Sequence, residues 1–143
     1  MNRMFLLTSA LALAIIVSSN VIGADDKDKD KEIPSIEKIM ETAHGEDGKG
    51  GIKAKVMMAF KDKAWDDVQS GAKDWVKEAE ALSKAKPTKG AAGSWKKLTA
   101  AYETNVKAIA EGAGKKDEKT VKAALGKINI SCGGCHSVHK PKK

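Results

Sequence analysis

Apolar positions recur along most of this chain with the period of a helix. The clearest stripe is Trp65, Val68, Ala72, Trp75, Ala79 and Leu82, at steps of three and four residues. That is the buried face of an amphipathic helix packed among others. Ahead of it, Pro34 and Ser35 mark a helix start, with Ser35 able to cap, and Ile36, Ile39, Met40 and Ala43 follow on one side. Gly45 and the cluster from Gly48 to Gly51 interrupt this first helix, and Ile52, Val56, Met57 and Phe60 resume it. Pro87, Gly90 and Gly93 mark a loop. Ser94 can cap a third helix with Trp95, Leu98, Tyr102, Val106 and Ile109 facing inward, ended by Gly112 and Gly114. A fourth opens at Asp117 or Thr120 and runs to about His139. No segment sustains the alternation of a strand. The pattern predicts an all-α domain over residues 34–140, an antiparallel four-helix bundle with short connections.

The flanks read differently. Asn2 and Arg3 precede an apolar run from Phe5 to Val17, and Val21, Ile22, Gly23 and Ala24 supply small residues for cleavage. A charged start, a short apolar core and a small-residue exit are the marks of a secretory signal peptide, here residues 1–24. The run is shorter than the ~20 apolar residues of a spanning helix, so no membrane span is expected after cleavage. Export to the periplasm is the expected location. Residues 25–33 are a charged, low-complexity leader with nothing to bury, and residues 141–143 are a basic tail.

Charge adds little to this picture. The formal net charge is +7, but acids and lysines are interspersed, as on solvated helix faces. No basic patch interleaved with aromatics points to nucleic acid. Composition adds more. Aromatic residues make up only 4% of the chain, so small side chains must fill much of the core. A large, flat, apolar cofactor would remedy a core that thin.

The fourth helix carries the chemistry. Val121, Leu125, Ile128, Cys132, Cys135 and His139 form its stripe, which places both cysteines on the buried seam. Cys132-Gly133-Gly134-Cys135-His136 is a C-x-x-C-H motif, the pattern of covalent haem c attachment. Two thiols one turn apart match the two vinyl groups of one haem, and His136 can reach the iron from the same side. A dithiol redox pair would sit at a helix N-terminus, where the dipole lowers the thiol pKa. A zinc site built from Cys132, Cys135, His136 and His139 would crowd four ligands into eight residues with no second arm. A disulfide would close only a tiny loop. No base or nucleophile is placed beside a substrate pocket, so an enzyme is not expected.

An exported four-helix chain whose C-x-x-C-H lies near its C-terminus resembles the cytochrome c′ family. The layout matches over the whole mature domain; the motif match is confined to Cys132 through Lys140. The family usually carries an aromatic residue three positions after the haem histidine and a basic one next. Here those positions hold His139 and Lys140, so the aromatic is replaced. The resemblance implies one covalent haem with His136 as proximal iron ligand, and a residue of the first helix facing the iron from the other side. Met40 falls about where the family places that residue, and a thioether there favours reduced iron and raises the potential. His44, four residues on, is the competing candidate. Its simplest alternative role is that of a histidine at a helix C-terminus, where the dipole welcomes a proton. Met57 and Met58 are expected in the core. The expected function is single-electron transfer with redox partner proteins that offer an acidic docking surface. The alternative is a five-coordinate haem protein that binds nitric oxide or carbon monoxide. Relatives often pair through helix faces, which leaves a homodimer open.

Overall fold

The computed structural model describes residues 33–141, so the expected signal peptide and nearly all of the charged leader lie outside the described residues. The described residues form five α-helices and no strand: α1 (Ile36–His44), α2 (Gly51–Lys61), α3 (Trp65–Lys84), α4 (Ala92–Gly114) and α5 (Glu118–His139). None of these helices is long and apolar enough to cross a membrane. The single interrupted helix expected at the start is two helices.

Local chemistry sets their ends. The Ser35 hydroxyl accepts from the Lys38 N–H at 3.2 Å, which satisfies one donor of the first turn of α1. Gly45 ends α1 at φ 81°, with its N–H on the Glu41 carbonyl at 2.7 Å. A left-handed glycine after the last turn is a common stop. Gly51, at φ +69°, then brings the chain back against that end. A Cβ there would lie 2.6 Å from the Thr42 carbonyl oxygen and 2.7 Å from the His44 nitrogen. The glycine cluster therefore lets α2 start in contact with the last turn of α1, a packing that a side chain would prevent. At the other end of the chain, the Asp117 carboxylate caps α5 by accepting from the Thr120 N–H at 3.1 Å and the Thr120 hydroxyl at 2.6 Å. Ser94 does not cap α4, which begins two residues earlier after Ala91. Its hydroxyl lies instead within hydrogen-bond distance of the Ala91 carbonyl and of His139.

The helices pack in sequence. α1 and α2 lie against each other and both lie on α3, α3 packs on α4, and α4 on α5. Among the described residues, the α5 backbone approaches closely no helix other than α4. The inward stripes meet in one core: Ile39 and Ala43 of α1, Val56 of α2, Val68, Ala72, Trp75, Ala79 and Leu82 of α3, Trp95, Tyr102, Val106 and Ile109 of α4, and Val121, Leu125 and Ile128 of α5 are buried. Leu98 is only half-buried, and Thr99 takes the inner position beside it, with its hydroxyl on the Trp95 carbonyl. Of the paired methionines on α2, Met57 packs against the core, while Met58 is 65% exposed and is not a core residue. Adjacent residues on a helix point about 100° apart, so the two could not share one buried face.

Ile109 is fully buried and Ile130 is 83% exposed. Ile109→Ala should therefore cost about 2–5 kcal/mol, as buried aliphatic truncations do, and Ile130→Ala should stay within about 0.5 kcal/mol. Urea denaturation of the two variants checks this; equal losses would mean that α4 does not carry the core.

Candidate functional site

The seam of α5 runs from buried Val121, Leu125 and Ile128 into half-buried Cys132 and Cys135 and ends at buried His139, with His136 exposed beside it. The two cysteines are not bonded to each other. The Cys132 thiol donates to the Ile128 carbonyl one turn back, at 3.2 Å. Cys135 packs against the core cluster, and burial, together with the neighbouring Cys132, raises its thiol pKa. Neither sulfur sits at a helix N-terminus or beside a cation that would favour the thiolate, so the pair lacks the setting of a redox-active dithiol. Burial lowers the pKa of the His136 imidazole, with Lys140 acting in the same direction, which favours the neutral ring whose one bare nitrogen can ligate.

His139 does not join them. It is 6% exposed, with Nδ1 at 2.7 Å from the Lys89 carbonyl and Nε2 at 2.8 Å from the Ser94 hydroxyl, and it packs edge-on against Trp95 at 5.1 Å between ring centroids. Gly90 makes room for this ring: a Cβ there would stand 2.6 Å from Nδ1. With both nitrogens engaged, His139 neither meets solvent nor completes a tetrad with Cys132, Cys135 and His136. Among the described residues, no cluster of three or more histidine, cysteine or carboxylate side chains is arranged to hold a metal ion. The His139 ring packs as an aromatic against Trp95, while its nitrogens tie the last turn of α5 to the loop before α4 and to the first turn of α4.

The other two candidate residues, Met40 and His44, lie on α1. Met40 is half-buried and packs against the core. His44, one turn later, belongs to a buried polar group drawn from three helices. Its Nε2 lies 2.8 Å from the Tyr102 hydroxyl of α4, and Trp75 Nε1–H of α3 donates to the same hydroxyl at 2.5 Å. The His44 ring also stands edge-on to Trp75, at 5.7 Å and 82°. Burial first, then the positive charges of Lys53 and His136, push the His44 pKa down to about 4. The helix dipole does not win here: desolvation outweighs it, and the imidazole is neutral rather than protonated. Burial also raises the Tyr102 pKa, and Cys132 stands near enough to raise it further. Tyr102 thus contacts His44 at the end of α1 and stands near Cys132 of α5, and His136 is near enough to His44 to act on its pKa.

Sequence reading identified Trp75 and Tyr102 only as core aromatics, and assigned no partner to Ser94 or to the Lys89 carbonyl. The signal for the first pair was available. A buried Trp N–H and a buried Tyr O–H both require partners, and His44 is the polar residue nearest the inward stripe of α1. The Lys89 carbonyl left no trace, since any residue offers one. No family model matches the chain, and neither does any curated protein or solved structure.

His139→Ala removes two hydrogen bonds and an edge-on aromatic contact at the end of the motif's helix. The substitution should destabilise the chain by about 2 kcal/mol, within the range for losing buried hydrogen-bond partners. It should also speed amide exchange selectively in the last turns of α5. Uniform exchange along α5 would show that the latch does not hold that end.

Proposed function

We propose that this chain is a c-type cytochrome that carries one covalent haem and transfers single electrons. The observation that carries the reading is the pair of unbridged, half-buried thiols one turn apart on the inward seam of α5, with the His136 imidazole exposed at the next position. These residues fit the group. Each sulfur is available to form a thioether, with its hydrogen passing to the vinyl carbon that is not bonded to sulfur. The seam is apolar, and no other helix backbone closes over the cysteine turn. When bound, haem supplies a one-electron iron couple.

The chain's own residues then divide the remaining tasks. Cys132 and Cys135 tether the group and His136 is the proximal ligand. Met40, half-buried on α1, is the distal ligand. In this reading α1 and α2 together form the first of four arms of an antiparallel bundle, with the haem inside it. Tryptophan, tyrosine and aliphatic side chains exclude water from its inner face. The apolar start of the sequence supports export to the periplasm, where such maturation takes place. The interspersed lysines support docking to redox proteins with an acidic surface.

Two outcomes follow. In cells that can attach haem, the wild-type protein should keep its colour through acid–organic extraction, and the Cys132→Ala/Cys135→Ala variant should lose it. The variant should also unfold more easily, since a ligand bound only by the folded state stabilises it. Extraction-resistant haem in the double variant would refute the attachment. The rate of electron exchange with an acidic partner should fall as ionic strength rises, and stopped-flow mixing at increasing salt measures it. A flat response would exclude electrostatic docking.

A further inference from the structure

The polar group around Tyr102 decides which side chain is free to reach an iron. The Trp75 indole nitrogen can only donate, so the Tyr102 oxygen accepts from it. The hydroxyl then has one proton to place, in a side chain only 8% exposed. Among the described residues its other hydrogen-bond partner is His44 Nε2, at 2.8 Å. If that nitrogen carried a proton, two donors would meet at Tyr102 and the hydroxyl proton would be stranded, a cost of about 1–3 kcal/mol. Tyr102 therefore donates to a bare Nε2. The neutral ring then carries its proton on Nδ1. An imidazole ligates iron through a nitrogen lone pair. In His44 the Nε2 lone pair accepts from Tyr102, and Nδ1 is protonated. The edge-on Trp75 ring resists a flip that would exchange the two nitrogens. Met40, one turn earlier on the same helix, offers an uncommitted thioether.

We propose that Tyr102, itself fixed by Trp75, is a positioning residue that holds His44 away from the iron and reserves the sixth position for Met40. This rests on the haem reading above and goes beyond it. His44 keeps its proton on Nδ1, with Nε2 held by Tyr102, and is not a ligand. The one hydroxyl of Tyr102 selects between a methionine-ligated and a bis-histidine haem, and so between a higher and a lower potential.

Tyr102→Phe removes only the oxygen. In the matured holoprotein the wild type should show the near-infrared sulfur-to-ferric-iron charge-transfer band. Tyr102→Phe should lose that band, gain the electron paramagnetic resonance pattern of two imidazoles, and shift to a lower midpoint potential. Tyr102→Phe/His44→Ala should recover the band. A residue that served only to support the fold would lower stability and leave band and potential unchanged. That result overturns the proposal, as does a wild type already ligated by two histidines or open at the sixth position. If Tyr102→Phe does not fold, the wild type still decides the question through the nitrogen shifts of His44 in the ferrous state. A protonated Nδ1 and a bare, hydrogen-bonded Nε2 are expected, and the reverse tautomer contradicts the proposal. A chain that takes up no covalent haem refutes the proposed function instead, and this inference falls with it.

Discussion

One hydroxyl joins three of the five helices. Tyr102 of α4 accepts from Trp75 of α3 and contacts His44 of α1, within a core made largely of aliphatic and small side chains. Each hydrogen bond adds about 1 kcal/mol net, but leaving one buried member unpaired costs more than the bond itself contributes. The three side chains therefore behave as a unit, and the end of α1 has one favoured orientation over α3 and α4. The glycine cluster that follows supports the same arrangement. At Gly51 the chain lies so close to the last turn of α1 that no side chain fits, which fixes where α2 begins.

A second polar contact fixes the end of α5. His139 bridges the Lys89 carbonyl and the Ser94 hydroxyl, so the last turn of α5 is tied to the loop before α4. Cys132, Cys135 and His136 lie on α5 and Met40 and His44 on α1, and among the described residues the α5 backbone packs closely on α4 alone. Within that frame the functional proposal asks little of the backbone. The thiols are not bonded to each other, His136 is exposed, and burial keeps the His44 imidazole neutral.

The periodic positions were legible in the sequence because burial acts on every third or fourth residue of a helix. Most of the α3 and α5 stripes is buried, down to His139 at the end, with Trp65, Cys132 and Cys135 only half-buried. Ser35 and Asp117 were readable as caps because a short polar side chain before an apolar run has few other uses. Other features were hidden. Ser94 has the chemistry of a cap, yet α4 begins before it, since Ala91 already adopts the extended backbone of a capping residue. His44 looked like a protonated helix end because the dipole is local and readable, whereas the desolvation that overrides it depends on α3 and α4, far away in sequence. Met57 and Met58 were indistinguishable by composition, and only the helix phase separates the packed one from the exposed one.

The proposed function stands or falls on whether Cys132 and Cys135 carry a haem. Intact-mass spectrometry of the denatured wild-type protein, purified from cells equipped for haem attachment, answers this. A polypeptide heavier by one haem is expected, with neither cysteine open to a thiol-alkylating reagent. A bare polypeptide in which both cysteines alkylate would refute haem attachment.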